Sequence, residues 1–413
     1  MSFLYHSGSL CCEETPLAAI ASRLGTPCYV YSARVILDNY RAYSPPSPPT
    51  SHTVHFSVKA NSSLGILSLL AREGAGFDIV SGGELFRVLE AGGDASRVVF
   101  SGVGKTAQEI DYALRAGIAL LSCESEAELD LVNQRAACRG LRAPVALRVN
   151  PDVNAATHPH VATGLRRHKF GVDIATAEDL YLRAAALPHL EARGVGCHIG
   201  SQILEIPAFL EALDKLIALA ERLRARGLPI RDLDLGGGLG VGYRPGDAAP
   251  TIGEYLREVL ARLEGRNLHL RLEPGRSIVA QAGMLLTTVL YRKRCGSKEF
   301  VIVDAAMNDL IRPALYDSYH EIVPVAVSDR PQVTADIVGP VCETGDFLAR
   351  DRRLPAVEPG ELLAVGAAGA YGFVLSSNYN ARPRAAEVLV RGGDFTVIRE
   401  RESYADLIRG ERV

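Results

Sequence analysis

Short apolar runs alternate along most of the chain with longer stretches whose apolar residues recur every three to four positions. The runs VHFSVKA, GFDIVSG, VVFSG, ALLSCES, PVALRVN, GVGCHIG, DLDLGGG and LHLRLEP read as buried strands. The stretches between them, among them LGILSLLAREG, GELFRVLEAGG, TAQEIDYALRAG and AFLEALDKLIALAERLRARG, read as helices, several closed by glycine. Strands alternating with helices imply parallel pairing, because each helix carries the chain back to the edge it left. Eight such units fit a closed (β/α)8 barrel, whereas the rival, an open doubly wound sheet, more often has fewer strands.

The pattern changes after Arg276. FVIVDA, VTADIVG, ELLAVGA, AAEVLVR and DFTVIRE are strand-like and joined by turns rather than by long helices. The expected organisation is therefore an N-terminal segment over 1–32, a (β/α)8 barrel over 33–276 and a mainly β barrel or sandwich domain over 277–413. The N-terminal segment ends in the β-prone GTPCYVYS and is expected to pack with the β domain. A helix over 33–43 stops at SPPSPPT, whose prolines forbid helix and suggest an exposed loop.

Composition removes several classes. With 413 residues the chain can bury a large core, and one large plus one smaller domain is the natural division. A formal net charge of -3 gives no argument for nucleic acid or an anionic membrane surface. No apolar stretch is long enough to span a bilayer, and MSFLYHSGSL lacks the basic and apolar regions of a secretory signal, so a cytoplasmic location is expected. The eight cysteines show no CxxC pair or even framework, so neither structural zinc nor disulfides are suggested.

In a barrel of this kind, the carboxyl ends of the strands and the loops after them build the active site. Here they carry Lys59, Asp78, Arg148, His198 with Ser201, the triplet Gly236, Gly237 and Gly238, and Glu273 with Gly275 and Arg276. Each alone has an ordinary explanation: a solvent-facing charge, a packed histidine, a tight turn. Together they suggest more. Glycines after the seventh strand and Pro-Gly-Arg after the eighth fit the usual phosphate site of such barrels. A phosphate, a lysine and a carboxylate describe pyridoxal phosphate: Lys59 for the aldehyde, Glu273 for the pyridine nitrogen, His198 against the ring face and Ser201 for a phosphate oxygen.

The stretches HFSVKAN, GFDIVSGGEL, HPHVATGLRRHKFGV, HIGSQI, LDLGGGLG, LEPGRSIV, RPALYDSYHEI, GPVCETGDFLA, GAYG and SNYNARPR together resemble the diaminopimelate decarboxylase family. The resemblance runs from GTPCYVYS almost to the C-terminus. EPGR and HIGS are shared with ornithine and arginine decarboxylases, and the TGL-to-KFG stretch, HIGSQI and CETGD point to the narrower branch. Ser57 and His168 are small variations at positions without chemistry. The family implies an alanine racemase-like barrel with a β domain, a pyridoxal phosphate cofactor and decarboxylation of meso-2,6-diaminopimelate to L-lysine, the last step of lysine biosynthesis. By position, Lys59 is implied as the Schiff-base lysine and Glu273 as the acid of the pyridine nitrogen. His198, Ser201, Gly237, Gly238, Gly275, Arg276 and Tyr371 match the ring-stacking and phosphate positions. Arg276, Arg312 and Tyr316 match the contacts to the distal carboxylate, and Glu343 the partner of the distal ammonium group. Cys342, in composition a small buried hydrophobe, becomes in CETGD the acid that protonates the substrate carbon. The resemblance alone implies a homodimer, with Cys342 reaching the site of a second subunit.

Three rivals are weighed against this. An amino-acid racemase of the same fold would avoid an acid at the pyridine nitrogen, which Glu273 contradicts. A decarboxylase of carboxynorspermidine, arginine or ornithine is disfavoured by Arg312, Tyr316 and CETGD. A cofactor-binding protein without turnover would not need Lys59, Glu273 and Cys342 together.

Overall fold

A computed structural model describes residues 3–45, 50–153 and 169–413. Most of the proline-rich loop, and the HPHVATGLRRHKFGV stretch up to His168, lie outside the described residues. The chain divides into two compact units. One comprises Asn39–Val241 and Ala248–Ser277; the other comprises Met1–Asp38, Gly242–Asp247 and Ile278–Val413. Among the described residues, no helix is long and apolar enough to cross a membrane.

The first unit is the closed barrel the periodicity predicts. Its strands are His52–Ser57, Gly76–Ile79, Val98–Phe100, Leu120–Cys123, Ala143–Asn150, Leu190–Gly196, Asp232–Asp234 and His269–Leu272. Each pairs in parallel with the next, and the last returns to the first with Leu272 opposite Val54. The runs are apolar because both faces of each strand are covered. Phe56, Phe77, Phe100, Leu121, Leu147, Val195, Leu233 and Leu270 are buried, and each such side chain contributes about 1.5–3 kcal/mol relative to exposure. Local signals fix where helices begin. Ser81 and Ser125 accept from the N–H groups of Glu84 and Glu128, and Thr106 and Thr251 form reciprocal capping boxes with Glu109 and Glu254.

The second unit holds a mixed nine-stranded sheet. Five of its strands, Lys298–Val303, Gln332–Val338, Leu362–Val365, Ala386–Arg391 and Asp394–Arg399, coincide with the runs read from the sequence. Gly283–Cys295 and Phe347–Pro355 are strands that the sequence reading does not single out, the former because its second half is exposed and basic. Cys28–Ser32 lies between Gly283–Cys295, antiparallel, and Ala386–Arg391, parallel. Ahead of it, Phe3–His6, Ser9–Cys12 and Thr15–Pro16 form a small sheet followed by the helix Leu17–Leu24. Leu17, Ile20, Val30, Leu286, Ala364 and Val388 pack into one buried cluster of this unit.

Candidate active site

The barrel sets its polar groups by register. Ser57 ends the first strand directly opposite Asp78 on the second, and the chain then turns through a single 3-10 turn, Val58–Ala60. Lys59 therefore sits two residues beyond the strand, on the turn rather than on the strand end that the apolar run suggests. The turn is possible because Gly275 passes beneath it: a Cβ there would lie 2.8 Å from Ala60 Cβ and 3.0 Å from Ser57 Cβ. Lys59 Nζ lies 2.5 Å from Asp78 Oδ2, and the Asp78 side chain is fully buried while that of Lys59 is one-third exposed. Ser57 Oγ lies 2.8 Å from the same carboxylate oxygen and 2.9 Å from the carbonyl oxygen of Glu273. One hydroxyl thus ties the first, second and eighth strands beneath the lysine.

Glu273 follows the eighth strand and is buried. Ser101, just after the third strand, places its hydroxyl 3.4 Å from Glu273 Oε1. Glu273 is also hydrogen-bonded to Asp234, the last residue of the seventh strand. Burial first, then the charges of Asp234 and Asp78, raises the Glu273 carboxyl well above the ordinary range, with Lys59 opposing. Asp234 is pushed up to about 6, also chiefly by burial. The Glu273 carboxyl therefore holds a proton more firmly than an ordinary glutamate, and the two acids are hydrogen-bonded to each other.

The glycine triplet is forced by close approach. A Cβ on Gly237 would stand 2.0 Å from the carbonyl oxygen of Glu273, so no other residue fits. The Gly236 N–H donates to Asp234 Oδ1 at 2.8 Å, and the Gly237 N–H donates to His198 Nδ1 at 3.2 Å. With Nδ1 accepting, the proton of the neutral imidazole is on Nε2. Burial, followed by the charges of Arg148 and Lys59, holds the His198 imidazole well below its ordinary value, so it is neutral. Arg148 donates to Glu124 Oε1 at 3.1 Å and to the His198 carbonyl oxygen at 3.4 Å. After the eighth strand, Arg276 donates to Ser201 Oγ at 2.9 Å. Gly238 completes the triplet; a Cβ there would meet the Gly200 carbonyl oxygen at 2.3 Å.

Lys59, Asp78, Arg148, His198, Ser201, Gly237, Gly238, Glu273, Gly275 and Arg276 thus all belong to the barrel unit, near or just beyond the carboxyl ends of its strands. Arg312, Tyr316, Cys342, Glu343 and Tyr371 belong to the other unit. There Arg312 opens the short helix Arg312–Tyr316, and it donates to Tyr243 Oη at 3.0 Å and His320 Nε2 at 3.2 Å. Cys342 and Glu343 are exposed on the loop between Gln332–Val338 and Phe347–Pro355. Tyr371 adopts φ 55°, a left-handed backbone uncommon for a residue with a Cβ.

Asp234, Ser57, Ser101 and Glu124 were not among the candidates from the sequence. A signal existed for Asp234: in DLD the two acids share one face of a fully buried strand, immediately before a glycine triplet.

The barrel set fits pyridoxal phosphate on its chemistry. Asp78 pairs with Lys59, the Glu273 carboxyl feels the same ammonium charge, and Asp234 is hydrogen-bonded to Glu273; Asp78 Oδ1 is buried without a hydrogen-bond partner among the described residues. Such a group of buried acids suits a ligand that brings positive charge, as a protonated ring nitrogen facing Glu273 would. Arg276 with Ser201, and glycines that admit no side chain, suit its phosphate.

Comparison with known proteins agrees. Residues 35–280 match the family described as pyridoxal-dependent decarboxylase, pyridoxal binding domain. A diaminopimelate decarboxylase of Pseudomonas aeruginosa is 55% identical over 410 residues, covering 99% of this chain and 98% of the relative. That of Pseudomonas fluorescens is 54% identical over 411 residues, with 99% and 98% covered. The crystal structure of diaminopimelate decarboxylase from Helicobacter pylori complexed with L-lysine superposes with a TM-score of 0.92 at 41% identity, covering 95% of this chain and 98% of that one. The barrel carries a lysine paired to a buried acid and glycines pressed against the glutamate, the chain is 54–55% identical to the two Pseudomonas enzymes over nearly its whole length, and it belongs to the diaminopimelate decarboxylase family of pyridoxal-dependent decarboxylases.

Proposed function

We propose that the chain removes carbon dioxide from meso-2,6-diaminopimelate to give L-lysine, the last step of lysine biosynthesis, with pyridoxal phosphate as cofactor. The observation that carries the reading is the Lys59–Asp78 ion pair at 2.5 Å, set among strand ends that also carry Glu273, His198 and the glycine triplet. The full-length similarity to diaminopimelate decarboxylases supports the choice of substrate.

The cofactor, when bound, supplies an electron sink for the substrate carbon that loses its carboxylate. The chain's own residues hold, orient and protonate. Lys59 is the amine that would hold the cofactor aldehyde, and Asp78 fixes where that amine stands. Glu273, a buried acid with a raised affinity for its proton, would face the ring nitrogen. His198, neutral and anchored through Nδ1 by the Gly237 N–H, offers a flat face to the ring. Ser201, Gly237, Gly238, Gly275, Arg276 and Tyr371 would take the phosphate, and Arg148 steadies the His198 backbone. Arg276, Arg312 and Tyr316 would receive the distal carboxylate of the substrate, Glu343 its distal ammonium, and Tyr371 would also contact the substrate. A guanidinium left without its carboxylate is costly, so lysine and ornithine should be poor substrates. Cys342 Sγ would deliver the proton to the carbon left by carbon dioxide.

The reading also has the protein as a cytoplasmic homodimer whose sites are completed across the interface by Cys342. Its eight cysteines are all free thiols, which suits a reducing compartment. Carbon dioxide release over a panel of amino acids tests the function. Release should be confined to meso-diaminopimelate, with L-lysine as product, and Lys59→Ala should abolish both turnover and the visible absorbance of lysine-bound cofactor. Comparable kcat/KM for ornithine or arginine would overturn the assignment. Mixing Lys59→Ala with Cys342→Ala protomers should restore partial activity; mixed dimers without activity would count against a shared site.

A further inference from the structure

The loop carrying Cys342 is exposed, yet its backbone is held at both ends by side chains that the reaction does not use. At its base, the buried Asp346 accepts from the N–H groups of Met307 and Val341, each at 2.7 Å. At its tip, the Cys342 N–H donates to Asn380 Oδ1 at 3.1 Å. Asn380 reaches that position by adopting φ 55° and ψ 30°, and Ala381 beside it has φ 53°. Two consecutive left-handed residues with side chains are uncommon, and backbone of this kind persists where surrounding contacts enforce it. Those contacts are present. Asn378 Nδ2 donates to the Arg382 carbonyl oxygen at 3.0 Å, closing the turn, and to Glu402 Oε2 at 2.6 Å. Arg382 Nε donates to Asn308 Oδ1 at 3.0 Å. The residue before Asn380 does the same for the neighbour of Cys342, since the Tyr379 hydroxyl is hydrogen-bonded to Glu343.

We propose that Asn380 is a positioning residue for Cys342: its left-handed backbone exists to present Oδ1 to the Cys342 N–H, so that the thiol stands where it can return a proton to the substrate carbon. Asparagine is suited to this, being the residue with a side-chain acceptor that best tolerates the left-handed region. The inference rests on Cys342 being the proton donor, and the test separates the two.

In the holoenzyme, Asn380→Gly keeps the backbone conformation without strain and removes only the acceptor, whereas Asn380→Asp keeps the acceptor. Asn380→Gly should lower kcat about five- to tenfold, the worth of one lost hydrogen bond to a reacting group's backbone. KM for diaminopimelate, the visible absorbance of bound cofactor and the thermal midpoint should stay unchanged. It should also change the alkylation rate of Cys342 by iodoacetamide, read on the peptide containing it. Asn380→Asp should restore kcat to within about twofold. Wild-type kcat and alkylation rate in Asn380→Gly, with Cys342→Ala inactive, would overturn the positioning role while leaving the donor intact. Full turnover in Cys342→Ala would overturn the donor reading itself, and the inference with it.

Discussion

His55 lies four residues before Lys59 on the first barrel strand, and its environment makes a pH-dependent prediction whose size can be worked out. The ring is buried. Nδ1 lies 3.0 Å from the Arg97 carbonyl oxygen and must carry the proton to satisfy it. Nε2 then accepts, 3.1 Å from Arg271 Nη1 and 3.0 Å from Thr53 Oγ1, a hydroxyl it shares with His269 Nε2. A second proton on His55 would point an N–H at a guanidinium. Burial first, then the Arg271 charge, lowers its pKa to about 3. Unfolded histidine titrates near 6.5, so between those values the unfolded chain binds a proton that the folded chain refuses. Folding stability contributed by the neutral ring is whole above pH ~6.5 and is lost as pH falls toward the folded value.

At pH ~5 the unfolded ring is almost fully protonated and the folded one is not, so the loss is about 2 kcal/mol relative to pH ~7.5. That figure depends on the unfolded pKa alone while the folded value stays below about 4. Other groups titrate in the same window with opposite sign. Glu84 and Asp309 are each pushed up to about 7, chiefly by burial, and they take up protons more readily folded than unfolded. The total slope is therefore a sum, and the histidine share is read by difference. Urea unfolding followed by far-ultraviolet circular dichroism, at pH ~7.5 and ~5, should show the wild type losing about 2 kcal/mol more than His55→Gln. Equal losses would show that His55 does not exclude the proton on folding, whatever the absolute stability of the variant.

Two further outcomes follow from buried charge. Lys105, with its side chain 1% exposed, donates to Glu128 Oε1 at 2.8 Å and to the carbonyl oxygens of Gly102 and Ser122; Lys105→Met should cost about 3–5 kcal/mol in urea unfolding by stranding Glu128, and Lys105→Met with Glu128→Leu should recover most of it. In the other unit, His320 is buried with Nδ1 2.8 Å from the Gly366 carbonyl oxygen, which leaves Nε2 to accept from Arg312. His320→Phe should raise KM for diaminopimelate about five- to twentyfold with kcat less affected, if Arg312 binds the distal carboxylate; an unchanged KM would show that Arg312 needs no such support.

The barrel was legible because its information is local. Each apolar run, capped helix start and terminal glycine can be read within a dozen residues, and parallel alternation then puts every strand end on one face. Lys59, His198, Glu273 and the triplet at Gly236 were visible for that reason. The other unit hid more. Its strand Cys28–Ser32 pairs with Ala386–Arg391 and with Gly283–Cys295, partners that no window of sequence contains, and the basic half of Gly283–Cys295 has no strand-like burial. Cys342 and Glu343 sit on a loop and Arg312 on a single-turn helix, and all three entered through family resemblance, not through periodicity.

What no local pattern could carry is the full set of groups around Lys59, because closure of the ring completes it. Glu273 and Ser57 are 216 positions apart, yet the Ser57 hydroxyl stands between the Glu273 carbonyl and Asp78. That contact exists only because the eighth strand returns to the first, Leu272 opposite Val54. The same closure adds Asp78, from the second strand, to the buried pair of Asp234 and Glu273, and its charge adds to burial and to Asp234 in raising the Glu273 carboxyl. In an open sheet the first and eighth strands would be edges, and Lys59 would face Asp78 without the Glu273 carboxyl. Its ion pair with Asp78 would then be an ordinary partly exposed one, contributing about 0–1 kcal/mol. The lysine is therefore specified twice, by the residues around it and by a topology that lets acids from distant strands share one buried space.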